Sequence, residues 1–102
     1  MRRIQGVLRE DLVVDDDVLV VGTVVGNIRV EASGNLRLEG TAQGHVLILA
    51  NGAAAIHGTV TGDVLTAGRL FVGGVVRGRV VESAGSITSV GRGASIAGVR
   101  RS

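Results

Sequence analysis

A glycine-spaced repeat is the feature that most constrains how this chain can fold. Four five-residue segments begin and end with glycine, at 22–26, 40–44, 58–62 and 74–78. Their first glycines are 18, 18 and 16 residues apart. This period is too short for a helix pair or a propeller blade, and it suits one coil of a β-solenoid. Because one coil cannot bury its apolar face alone, the coils must stack, and stacking produces a rod with two ends.

Apolar residues alternate within each repeat, which is typical of strands with one buried face. When the repeats are aligned on their first glycine, the aliphatic residues fall into five columns that we expect to stack in the core. The columns are Leu12, Ile28, Val46, Val64, Val80; Val14, Val30, Ile48, Thr66, Glu82; Val18, Leu36, Ala54, Leu70; Ile4, Val20, Leu38, Ile56, Val72, Ile96; and Leu8, Val24, Ala42, Val60, Val76.

The alignment predicts an all-β fold, a β-helix (solenoid) of about five to six coils with about 17–18 residues per coil. We expect a single β-helix domain over residues 1–102. Glu82 breaks an otherwise apolar or Thr column, and a carboxylate is costly to bury. We therefore predict a loop or an irregular last coil at about 82–93.

The amino-acid composition narrows the classes of function. The chain has one Phe, no Trp, no Tyr and no Cys, so its core depends on mid-sized aliphatic residues. Such a core suits a narrow interior better than a ligand pocket, which usually recruits aromatic residues. The lack of cysteine excludes disulfides, thiolate metal sites and a cysteine nucleophile. With no signal-peptide pattern and no membrane-spanning run, we expect a cytoplasmic protein.

Two of the repeats carry a resemblance to a known family. They read Val20-x-Gly22-Thr23-Val24-x-Gly26-x-Ile28-x-Val30 and Ile56-x-Gly58-Thr59-Val60-x-Gly62-Asp63-Val64. These coils resemble those of the bactofilins, the bacterial polymer-forming β-helix proteins, over about residues 4–98. The resemblance implies a right-handed β-helix with a triangular cross-section that assembles end to end, without nucleotide, into cytoskeletal filaments or a scaffold.

The resemblance also sets the expected partners and location. The main partner would be the chain itself, as a homopolymer, followed by other scaffold or cell-wall-associated proteins. Contact with the inner face of the cell membrane is a further expectation. We expect no nucleic-acid partner, because the chain lacks stacking aromatics and its net charge is only +2.

The ends of the rod are the first candidate interfaces. Terminal coils expose strand edges and one apolar layer, so they associate unless they are capped. We predict an end-to-end interface from Ile4, Leu8, Leu12 and Val14 at the N-terminal end and from Ile96 and Val99 at the C-terminal end. The alternative is a cap formed by residues 82–93 or by Arg100 and Arg101.

A row of outward aliphatic residues is the second candidate interface. The position between two core columns reads Val13, Arg29, Leu47, Leu65, Val81, and Leu49 lies close to it. We expect Leu47, Leu65 and Val81 to form an exposed ridge for lateral bundling or membrane contact, together with Leu49. The alternative is a few ordinary surface aliphatics.

Charge is distributed unevenly along the chain. Residues 1–51 carry five Arg and seven acids, and residues 52–102 carry six Arg and two acids. One interpretation is head-to-tail stacking of Asp15, Asp16 and Asp17 against the basic C-terminal end. The other is that both clusters are solvated turns.

Enzymatic readings have less support in the sequence. We predict no catalytic residue, no cofactor and no metal site, since His45 and His57 are the only histidines and no third ligand converges on them. One alternative is a trimeric left-handed hexapeptide-repeat enzyme, either an acyltransferase or one resembling carbonic anhydrase. A capped β-solenoid that serves as a binding module is the other.

Overall fold

The fold, taken from a computed structural model, is built only from short strands. The structure describes residues 2–83 and 85–101, with side chains at all of these except 2, 97 and 99–101. Over this part of the chain there are sixteen strands and no helix. The strands are β1 Arg2–Ile4, β2 Val7–Leu8, β3 Leu12–Val14, β4 Asp17–Val20, β5 Thr23–Val24, β6 Ile28–Val30, β7 Asn35–Leu38, β8 Thr41–Ala42, β9 Val46–Ile48, β10 Ala53–Ile56, β11 Thr59–Val60, β12 Val64–Thr66, β13 Arg69–Val72, β14 Val75–Glu82, β15 Ile87–Val90 and β16 Ser95–Arg101.

The strands form three parallel stacks, which we call the A, B and C faces. The A face is β1, β4, β7, β10, β13 and β15. The B face is β2, β5, β8 and β11 followed by the first part of β14, and the C face is β3, β6, β9 and β12 followed by its last part. Strand β16 pairs with β14 on both faces. The predicted solenoid is confirmed, with five turns and a final layer formed by β15 and β16.

Strand register confirms the core columns read from the sequence. On the C face, for example, Ile28 pairs with Leu12 and Val46, and Val64 pairs with Val46 and Val80. From β4 to the C-face part of β14 the inward apolar residues are at most 5 % exposed. Thr66 is the one buried polar residue recorded in the described part, and its hydroxyl lacks a hydrogen-bond partner there.

One column assignment is wrong. Val72 pairs with Val90, whereas Ile96 pairs with Val76 and therefore belongs to the column of Leu8. The alignment placed Ile96 in that column because it lies two residues before Gly98, as Val72 does before Gly74. In the structure four residues separate Val90 from Ser95, whereas two separate Val72 from Val75, so Ile96 lies on the B face.

The change of period between 18 and 16 residues arises at one corner. Between the C face and the next A face the chain uses four residues at 31–34 and 49–52, but only two at 15–16 and 67–68. Four residues also separate β14 from β15. The corners at 31–34 and 49–52 each contain a non-glycine residue with positive φ, Ser33 at 69° and Asn51 at 68°. The additional residues therefore form a left-handed turn outside the core and leave the strand register unchanged.

The first glycine of each repeat is required because consecutive coils approach closely. A Cβ on Gly40 would overlap the carbonyl oxygen of Gly22, and one on Gly58 would overlap that of Gly40. These carbonyls accept hydrogen bonds of 3.0 Å from the amides of Thr41 and Thr59. Within the described range Gly26 is the one repeat glycine with positive φ, at 154°. The limited space between coils, rather than a requirement for positive φ, explains most of the glycines in the repeat.

The segment predicted as a loop or an irregular last coil contains a strand. β15 pairs with β13 in continuous register, from Arg69 opposite Ile87 to Val72 opposite Val90. This segment therefore contributes a paired strand to the last coil. The core side of this coil is poorly covered, since Val90, which is at an inward position, is 53 % exposed.

Candidate functional site

Both ends of the rod present strand edges. At the N-terminal end β1, β2 and β3 each pair with one strand, and at the C-terminal end β15 pairs only with β13 and β16 only with β14. In a parallel stack the amide and carbonyl groups of an outer strand point along the stack, toward the position of the next strand. Each end is therefore a template to which another strand could be added.

The apolar layer at the N-terminal end is smaller than predicted. Ile4 and Leu8 are partly exposed and pack against the core. Leu12 is only 6 % exposed and Val14 is fully buried, so the expectation that they lie on the end surface is wrong. Because a solenoid rises by one strand spacing per coil, β3 lies nearer to the second coil than β1 does. The side chains of Leu12 and Val14 therefore belong to the core, and Ile4 and Leu8 remain as end residues.

The C-terminal end exposes a residue that the sequence alignment missed. Val90 occupies the core column of Ile4 and Val72, but it lies in the last layer. Ile96 is partly buried, and the side chain of Val99 lies outside the described residues, although its backbone pairs with Val80. The available signal was the Val-Gly pair at 90–91, which matches Val72-Gly73.

The predicted lateral ridge is present in part. Leu47 and Leu65 pair across neighbouring strands and are 38 % and 41 % exposed. Val81 pairs with Leu65 at the next position of the same row and is partly exposed. Leu49 is partly buried at the corner, where its amide donates a 2.9 Å hydrogen bond to the carbonyl of Val30. We therefore define the C-face ridge as Leu47 and Leu65.

The two histidines occupy separate columns. His45 lies at the corner between the B and C faces, where its Nδ1 accepts a 3.0 Å hydrogen bond from the amide of Asp63. His57 packs against Phe71, with 5.5 Å between the ring centroids and an interplanar angle of 38°. Among the residues that the structure describes, no three His, Asp or Glu side chains come together as metal ligands.

A surface depression lies on the A face. It has a volume of about 670 Å³, its floor includes Ala53 and Ala55, and its walls include Arg37, Arg69 and Phe71. The depression arises because small alanines lie between longer side chains in neighbouring coils. Arg37 is already paired with Glu39, at 2.8 Å. The arrangement has the shape of a shallow binding surface, and its lining includes one carboxylate, Asp17, and one hydroxyl, Ser89.

Comparison of this chain with family models, curated proteins and solved structures gave no match in any of the three. In the part of the chain that the structure covers, no helix is long and apolar enough to cross a bilayer.

Proposed function

We propose that this chain is a structural protein that self-associates end to end, without nucleotide, into a filament or scaffold of the bactofilin kind. The observation that supports this most directly is that both ends of the solenoid combine open strand edges with a partly exposed apolar layer. Ile4 and Leu8 mark one end, and Val90 and Ile96 mark the other. Neither end has a helix within the described residues to cover it.

The mechanism would combine two contributions. A second molecule adds strands to an open edge, so the hydrogen-bond ladder continues across the junction. At the same time the terminal apolar layers are removed from water, which stabilises the contact by roughly 25 cal/mol per Å² of apolar surface buried. The ladder fixes the orientation of the incoming molecule, and the apolar layer supplies most of the affinity.

A second, lateral contact would use the C-face ridge. Leu47 and Leu65 are adjacent and exposed on one side of the rod, parallel to its axis. Such a ridge suits bundling of neighbouring filaments or contact with a membrane surface, and it does not take part in the end contact. We place the assembly in the cytoplasm and at the inner face of the membrane, with other scaffold or cell-wall-associated proteins as further partners.

Negative-stain electron microscopy with end and side variants tests this function. Wild-type protein without nucleotide should form thin filaments, and Ile4→Arg or Val90→Arg should shorten or disperse them by placing a charge in the end contact. Val25→Arg is the matched control, because Val25 is a side-wall valine with 39 % exposure and should leave the filaments unchanged. Circular dichroism checks that each variant keeps its β structure. Leu12 is unsuitable because an arginine there would disrupt the core.

Two results would contradict this proposal. If both end variants polymerise like the wild type, the assigned ends are wrong. If the wild type itself gives only uniform small particles, assembly is refuted and a capped binding module or a trimeric enzyme is favoured. Particle mass and metal content then separate those two.

A further inference from the structure

A column of side chains links successive coils at the corner between the B and C faces. Asp11 Oδ1 accepts the amide of Asn27 at 2.9 Å, and Asn27 Oδ1 accepts the amide of His45 at 3.0 Å. His45 Nδ1 then accepts the amide of Asp63 at 3.0 Å, and Asp63 Oδ1 accepts the amide of Arg79 at 2.9 Å. We call this series the corner ladder. Each side chain of this ladder, which we call a rung, accepts a hydrogen bond from a backbone amide of the next coil. Strand pairing does not use that amide.

The rung made by His45 differs chemically from the others. A carboxylate or a side-chain amide oxygen can accept a hydrogen bond throughout the range from pH 8 to pH 5.5. A neutral imidazole accepts on one nitrogen only, and a protonated imidazole has two donors and no acceptor. Protonation of His45 would therefore turn the acceptor of this rung into a donor facing the N–H of Asp63.

We propose that His45 is a proton-sensitive link between the third and fourth coils, so that acidification weakens the middle of the rod. A proton on His45 costs the folded chain one hydrogen bond and costs the unfolded chain nothing. The unfolding equilibrium constant therefore rises as pH falls through the range in which histidines are protonated. All the groups involved lie in one molecule, so the inference does not depend on assembly.

Loss of the Nδ1 acceptor decides the effect of protonating His45, because the groups around the ring do not compensate for it. Asp63 in the coil above directs its Oδ1 toward the amide of Arg79. Gly62 lies against the imidazole, since a Cβ there would be 3.0 Å from Nδ1. The other charged side chains of the corner ladder and of the adjoining strands β6 and β14 are those of Asp11, Arg29, Arg77, Arg79 and Glu82. Asp11 and the three arginines are exposed, so solvent and salt screen their charges.

The corner ladder itself provides the test variant. His45→Asn places at this rung the residue that already forms the rung below, with an acceptor that does not titrate between pH 8 and pH 5.5. His57→Asn is the matched control, because His57 is the other histidine and packs on Phe71 outside the corner ladder. Urea unfolding of the full chain is followed by circular dichroism at both pH values.

We expect the wild-type unfolding constant to rise roughly threefold to tenfold from pH 8 to pH 5.5, as for loss of about one net hydrogen bond. His45→Asn should lose most of this rise, and His57→Asn should keep it. The inference is overturned if His45→Asn is as pH-dependent as the wild type, if His57→Asn alone removes the effect, or if acid stabilises the wild type.

A second measurement needs no variant. Nitrogen-15 spectra at pH 8 should show Nδ1 of His45 without a proton and Nε2 carrying one. After correction for intrinsic exchange rates, the amide of Asp63 should lose protection at pH 5.5, whereas the amide of His45, bound by Asn27, should keep it. Equal protection of both amides at both pH values would also overturn the inference.

Discussion

The first glycine of each repeat shows how one side chain can decide whether coils stack. Gly40 has Gly22 below it and Gly58 above it, and each carbonyl oxygen lies where the next Cβ would be. A methyl group at Gly40 would therefore meet rigid backbone, which cannot move without breaking the hydrogen bond from Thr41 to Gly22. Overlap with backbone is more damaging than overlap with a side chain, because no rotamer change relieves it.

A single substitution tests this steric requirement. Gly40→Ala should lower the free energy of unfolding by about 3 kcal/mol or more, since two coils must separate to admit the methyl group. Gly98→Ala is the control: among the described residues its Cβ would meet Arg79 Cγ alone, at 3.8 Å, so we expect a change within about 0.5 kcal/mol. Urea unfolding of both variants gives the comparison. Equal stability would mean that the glycines are not needed for coil stacking.

Strands of the same face share one alternation of inward and outward residues, but they differ along the rod in how exposed their inward side chains are to solvent. On the A face, inward residues of β10 and β13 such as Ile56 and Val72 are fully buried, whereas Val90 of β15 is 53 % exposed. The strands have equal length and continuous register, so position in the stack causes the difference. Terminal coils lack a neighbour on one side, and local opening there costs less.

Hydrogen exchange should therefore follow the stack. In protein kept dilute enough to remain dispersed, amides of β15 should exchange at least about tenfold faster than those of β10, because the last coil opens without disturbing the centre. Strand β7, on the same face and equally well buried, should match β10. Mass spectrometry of peptic fragments provides the rates. Uniform exchange along the A face would show that the coils open as one unit.

Much of this architecture could be predicted because the same alternation of inward aliphatic and outward residues recurs in successive coils. Alternating aliphatics such as Val20 and Val18 define inward positions, and equal spacing from the glycines fixes their register. The prediction failed for Ile96 because two added corner residues changed the spacing without changing the pattern of residue types. It failed for Leu12 and Val14 because burial at an end depends on the rise of the solenoid, which a linear alignment does not contain.

Only part of the corner ladder could be predicted from the sequence. The common column of Asn27, His45 and Asp63 follows from the repeat, but the pattern does not show whether those side chains point to solvent or to the next coil. That choice depends on the geometry of the turn, in which each side chain lies within 3.0 Å of the next backbone amide. Val90 is a similar case, since its exposure follows from being in the last layer.

The solenoid is short, with dimensions of 32 × 26 × 21 Å. A solenoid of this size is hardly longer than it is wide, so it can act as a long structural element only by joining its ends. The open strand edges, the partly exposed Ile4 and the exposed Val90 are all located where such joining would occur. The C-face ridge lies on the side, where it could connect filaments but not lengthen them.

The most direct test of the account is the direction of the strand spacing in the assembled protein, measured by cryo-electron microscopy or fibre diffraction. End-to-end assembly predicts filaments one molecule wide, with the spacing of about 4.8 Å along the filament axis and a subunit repeat near 29 Å from six stacked layers. Filaments with the 4.8 Å spacing across the axis, or a sample of single particles under all nucleotide-free conditions, would contradict it.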